Sequence, residues 1–131
     1  SQILCADFAY MGTRFISSKE SLAKPEYKAM LVDSVAKDII NTAAFTGIPN
    51  NMLRQSIEKA GFDPDNIPSS AKSKLNFDDP HSGAKAWRDI WSAGHGVGEV
   101  KEILSVKEIV ASLTTQYQET LQKPIITRRF I

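Results

Sequence analysis

The segment Phe8-Ala9-Tyr10-Met11, bounded by Asp7 before and Gly12 after, constrains this chain more than any other. Four apolar residues without alternation fit a strand buried on both faces better than a helix. Such a strand leaves its backbone donors and acceptors orphaned unless other strands lie beside it. Nothing else in the sequence pairs with it convincingly. Ile39-Ile40 reads either as a second extended stretch or as the end of a helix.

The rest of the pattern is mainly helical. Pro25 suits the first position of a helix running to about Ser34, with Tyr27, Met30 and Leu31 on one side. Asn50 or Asn51 caps the next predicted helix, whose Met52, Leu53, Ser56, Ile57 and Ala60 form a stripe at helical spacing. Gly61 supplies its left-handed terminator. Residues 62–82 are rich in Pro, Asp, Ser, Asn and Lys and read as an exposed loop. A short helix over Ala84–Trp91 would place Trp87, Ile90 and Trp91 together, as core and not as a stacking platform. Ser105 and Glu108 have the spacing of a capping box. Behind them Val106, Ile109, Val110, Leu113, Tyr117 and Leu121 follow one helical face until Pro124. That face needs a partner surface. The chain thus divides into an opening strand and turn (1–24) and a mainly helical region (25–131).

Composition narrows the function classes. With 131 residues, 42% hydrophobic and 24% charged, the chain has the make-up of about one globular domain. Sixteen basic against fifteen acidic residues leave +1, which gives no reason to expect a nucleic acid or an anionic membrane as partner. The longest apolar runs fall far short of the roughly 20 residues that cross a bilayer. The single cysteine, Cys5, makes no intrachain disulfide, and no basic-then-apolar leader opens the chain. Both point to a cytoplasmic protein. No Cys/His cluster has zinc spacing, so no metal is expected, and Asp78-Asp79-Pro80 reads as turn chemistry.

Two glycine-bearing turns carry what chemistry there is. Met11-Gly12-Thr13-Arg14-Phe15 follows the predicted strand directly. Glycine lets backbone approach a ligand closely, and amides just past a strand can aim at phosphate oxygens. An ordinary turn is the commoner use of such a sequence, and both readings stand on these residues. The second turn, Trp91-Ser92-Ala93-Gly94-His95-Gly96-Val97-Gly98, holds three glycines in five residues. It reads as a hinge between helices or as main chain close to a ligand, with His95 as catalytic base, lining group or merely structural.

At this point the residues resemble a family. The run Ala6–Phe15 closely resembles the last-strand motif of nitronate monooxygenases, and Glu20 is similar to the glutamate that follows it there. Phe45-Thr46-Gly47-Ile48-Pro49-Asn50 with Leu53-Arg54, and Asp89–Gly94 with Gly96 and Gly98, resemble two later segments in family order. The resemblance implies the last strand of a (βα)8 TIM barrel followed by a mainly helical region. It also implies FMN as cofactor and the oxidation of alkyl nitronates by dioxygen. Such a barrel needs about 250 residues. The chain is therefore expected to be a carboxyl-terminal portion, with the rest of the barrel upstream or on another chain, and to be inactive by itself. The unpartnered strand finds its neighbours there.

Residue by residue, Tyr10, Met11, Gly12 and Thr13 match the family's flavin-phosphate stretch. The amides of Gly12 and Thr13 with the Thr13 hydroxyl would donate to the phosphate, and Arg14 would support it or form a structural ion pair. Ser92, Gly94 and His95 would lie on the substrate side. The catalytic group is expected upstream. Two other functions remain beside this one: a related flavin-dependent enoyl-thioester reductase, and a small helical interaction module without cofactor. A homo-oligomer is compatible with either flavin reading.

Overall fold

A computed structural model of the chain describes residues 7–68 and 89–122. Its centre is a hairpin of β1 (Ile39–Thr42) and β2 (Asn50–Leu53), which pair antiparallel with Ile39 opposite Leu53 and Ile40 opposite Met52. Alternation along each strand sends Ile39 and Leu53 to one face and Ile40 and Met52 to the other. The first face packs with Leu31, Trp91, Val97 and Val100, and the second with Phe45, Ile57 and Ile90. The free edge of β2 takes up residues 91–93. Leu53 N donates to the Trp91 carbonyl at 2.7 Å, Ala93 N donates to the Asn51 carbonyl at 3.3 Å, and Met52 bridges Ser92.

The hairpin decides one open point of the sequence reading and corrects another. Ile39-Ile40 is extended. Asn50 and Asn51, expected to cap a helix, lie in β2 together with Met52 and Leu53, and the helix α3 occupies only Arg54–Lys59. Consecutive Met52 and Leu53 are both buried, in different clusters, which a pleated strand between two cores allows. Asn51 also pairs across the hairpin, accepting from Asn41 Nδ2 at 2.9 Å. Tertiary pairing overrides the helical spacing here. Past α3, Gly61 sits at φ 85°, in the left-handed region expected of it. Alanine there should cost about 1 kcal/mol, read as a lower denaturation midpoint at unchanged slope in urea.

The opening segment is the second correction. Residues 8–11 form no strand, and Phe8 and Tyr10 are 93% and 102% exposed. The described strands pair with one another and with residues 91–93, so no ladder is offered to this segment. Without one, its peptide groups stay in solvent.

The two longer helices follow the sequence closely. The helix α2 spans Pro25–Asp33 with Pro25 at its start. Its Leu31 is buried, with Tyr27 and Met30 packed against the same cluster. Lys28 is buried as well. Its ammonium donates to the carbonyls of Ser18 at 2.6 Å and Ser21 at 2.8 Å, which pins the loop between α1 (Thr13–Ile16) and α2. The longest helix, α4 (Val106–Gln122), begins with the expected reciprocal cap: Ser105 N donates to Glu108 Oε2 at 2.7 Å, and Glu108 N to Ser105 Oγ at 3.3 Å. Glu20 adds to it, both carboxylate oxygens accepting from Val106 N at 2.9 and 3.0 Å. Of the apolar face, Ile109 is buried, whereas Val110, Tyr117 and Leu121 are exposed.

Hydrogen bonds from Ser105, then Lys19 at 3.3 Å, hold the Glu108 carboxyl down at about 2 against an ordinary 4.5. A depressed carboxyl contributes stability that is present above its unfolded value and lost as pH falls through the folded one. The start of α4 should therefore loosen between roughly pH 4.5 and 2. An NMR titration of the Glu108 side chain checks this; a midpoint near the ordinary value would contradict it.

Candidate functional site

Gly12 is small without an internal reason to be. Its φ of −103° suits any residue, and a Cβ built on it meets nothing within 4 Å. Its carbonyl accepts from Phe15 N at 3.0 Å and Ile16 N at 3.2 Å, closing the first turn of α1. The amides of Gly12, Thr13 and Arg14 donate to no described residue. Beside them, Arg14 forms no ion pair with a described residue. Its Nη1 donates to Ser17 Oγ at 3.2 Å and to the Glu102 carbonyl at 3.1 Å, tying this turn to the approach of α4.

The second glycine turn arrives from the hairpin. Ser56 Oγ, fully buried on α3, accepts from Trp91 N at 2.9 Å and donates to the Leu53 carbonyl at 2.8 Å. The Tyr27 ring stacks on Trp91 with centroids 4.9 Å apart, and its phenol donates to the Ser92 carbonyl. Burial pushes the Tyr27 phenol up from its ordinary value, so it remains a donor. The ammoniums of Lys59 and Lys24 lie 5.7 and 5.9 Å from the Trp91 ring centre. Removing the Ser56 hydroxyl takes away its buried hydrogen bonds to the Trp91 amide and the Leu53 carbonyl, so Ser56→Ala should cost about 1–3 kcal/mol. Urea denaturation measures it; a change within a few tenths would show that this clamp is idle.

So held, the segment delivers Gly94 to Thr13. Gly94 N donates to Thr13 Oγ1 at 2.9 Å, across 81 residues of sequence. The two turns thereby border one groove of about 790 Å³. Tyr10, Met11, Gly12, Thr13 and Gly94 line it, with Arg14 at the same wall, and Leu104, Ile109 and Leu113 make an apolar side. Ser92 and His95 lie outside that lining. Ser92 takes part through its carbonyl, and His95, itself exposed, opens a 3-10 turn over His95–Glu99. Tyr27 and Ser56 were missed as site-building residues, because helical spacing marks them only as core. The signal available was a polar Ser56 inside an otherwise apolar stripe.

The residues at this end of the groove suit an anionic group. Free amides, a hydroxyl and a glycine whose Cβ position is open offer donors and close approach at one place. Among the described residues no group of His, Cys, Asp and Glu is arranged to hold a metal ion. No described helix is long and apolar enough to cross a membrane.

The chain belongs to the nitronate monooxygenase family, whose model matches residues 3–116. Among solved structures it is similar to FabK from Thermotoga maritima, 30% identical with a TM-score of 0.60, over 86% of this chain and 37% of that one. A point mutant of the same protein aligns at 22% identity and a TM-score of 0.61, over 92% of this chain and 37% of that one, and speaks to the fold alone. The chain thus spans little more than a third of the length of these structures. No curated protein matches it. The described residues form a small α/β piece with one two-stranded sheet. Its Trp87, Cys5, His81, Asp78-Asp79 and Arg128-Arg129 fall outside them, as does most of the predicted Ala84–Trp91 helix.

Proposed function

We propose that this chain is the carboxyl-terminal portion of an FMN-dependent oxidoreductase that oxidises alkyl nitronates with dioxygen. The rest of the barrel lies upstream or on another chain. The observation that carries this reading is the bond from Gly94 N to Thr13 Oγ1, which sets the two family glycine segments on one groove. Membership of the family supports it. FMN, when bound there, would supply the redox chemistry between nitronate and dioxygen.

This chain's own residues bind and orient. Amides of Gly12 and Thr13, with the Thr13 hydroxyl, hold the phosphate, and Gly12 lets it come close. The Arg14 guanidinium adds positive charge to that wall while its hydrogen bonds fix the turn. Leu104, Ile109 and Leu113 keep water from the groove's far side, which strengthens the polar contacts at the near one. The group that handles the substrate proton belongs to the part of the barrel outside this chain.

Oxygen uptake by the complete, FMN-loaded protein tests the reading, with ethylnitronate as substrate and no pyridine nucleotide. Uptake that tracks the nitronate is expected. No uptake, together with pyridine-nucleotide-dependent reduction of an enoyl thioester, would overturn the nitronate assignment in favour of the reductase. Failure to bind any flavin would favour the helical interaction module.

A further inference from the structure

Thr13 Oγ1 receives a hydrogen bond from Gly94 N at 2.9 Å, and an amide can only donate. One lone pair of the hydroxyl is thereby occupied, and its proton is turned elsewhere. Among the described residues none accepts that proton, and Thr13 borders the groove. The Gly94 amide therefore sets the polarity of the hydroxyl: it is a donor towards the groove. Gly94 itself is held by what precedes it. The Ala93 amide is tied to β2 at 3.3 Å, and the Ser92 carbonyl is gripped by the Tyr27 phenol, whose ring is fixed against Trp91.

We propose that Tyr27 is a positioning residue of the flavin-phosphate cradle, acting through the Ser92–Gly94 backbone on the hydroxyl of Thr13. The inference rests on the flavin reading above. Ser92 is exposed, so without the phenol its carbonyl turns to water and the following peptides lose their aim. Gly94 then drifts from Thr13, and the hydroxyl rotates freely between donor and acceptor orientations. With the phenol in place, an anion that accepts from Thr13 polarises its oxygen and tightens the Gly94 bond in turn, since linked hydrogen bonds strengthen one another. Occupancy at the phosphate end is thus felt along the second glycine turn.

The test uses FMN and riboflavin, which differ only in the phosphate, on the complete protein. Tyr27→Phe keeps the stacked ring and removes only the hydroxyl. Its FMN dissociation constant should rise about threefold to tenfold while that for riboflavin stays unchanged. Thr13→Val should lower FMN affinity at least as much, and adding Tyr27→Phe to it should change nothing further, because both act on one group. Hydrogen exchange gives a readout apart from affinity. FMN should slow exchange of the Gly94 amide, riboflavin should not, and Tyr27→Phe should weaken the slowing. Equal weakening of both flavins by Tyr27→Phe, or an effect additive with Thr13→Val, overturns the positioning role while leaving the flavin reading intact. If the unmodified protein binds neither flavin, both fall together.

Discussion

Gly12→Val should empty the protein of FMN without unfolding it. The two halves of that outcome come from one observation. A side chain at Gly12 meets nothing within 4 Å, and its backbone at φ −103° tolerates any residue, so the fold has no objection to valine. Gly12 and Thr13 border the groove in which the proposed phosphate would sit, so a side chain at Gly12 would bar its close approach. Losing two hydrogen bonds to a charged group removes about 3–6 kcal/mol of binding, on the order of a hundredfold or more in affinity. The thermal midpoint of the flavin-free variant should match that of the flavin-free parent. Flavin absorbance surviving desalting at the parental level would remove the phosphate role from this turn.

Trp91→Ala should have the largest effect on stability. The ring is nearly buried in the first core, lies against Tyr27 at 4.9 Å and is flanked by two ammoniums. Truncating a buried tryptophan costs about 3–5 kcal/mol, a large share of what a domain of this size has. The stack that fixes the Tyr27 ring goes with it. A loss of about 1 kcal/mol or less in urea would mean that the two cores do not depend on this residue as their packing implies. Trp91→Phe separates area from shape: it retains an aromatic face for Tyr27 and should recover more than half of the loss.

Local rules made the helices legible and tertiary pairing hid the hairpin. Pro25 starts α2, Ser105 and Glu108 cap α4, and Gly61 takes a positive φ, because each signal acts within a turn or two of chain. Asn50 or Asn51 as a cap, with the stripe that starts at Met52 and Leu53, satisfies helical spacing equally well. The pairing with β1, eight to fourteen residues away, and with residues 91–93, about forty away, decides it, and neither lies within a helical turn. The opening segment failed for a related reason. Apolar character in Phe8 to Met11 signals that a partner is wanted, and the described residues provide none.

The site was legible by halves. Gly12 and Thr13 could be singled out from a glycine following an apolar run, and Gly94 from a glycine-dense turn. That they meet through one hydrogen bond was not readable from either. On the α4 face Ile109 is buried, while Val110, Tyr117 and Leu121 are exposed. His95 drew attention as a titratable group among glycines, yet the backbone turns it outward and leaves the amide before it as the contributing group. Chemistry in this region is carried by main chain and hydroxyls, which composition and motif counting register weakly.

The position of the phosphate in a crystal structure of the complete protein with FMN bears most directly on all of this. Phosphate oxygens within hydrogen-bonding distance of the Gly12 and Thr13 amides and of Thr13 Oγ1, with Gly94 N still on that hydroxyl, are what the account predicts. A phosphate seated on other residues, with the Gly12 turn facing protein or bulk water, would contradict it.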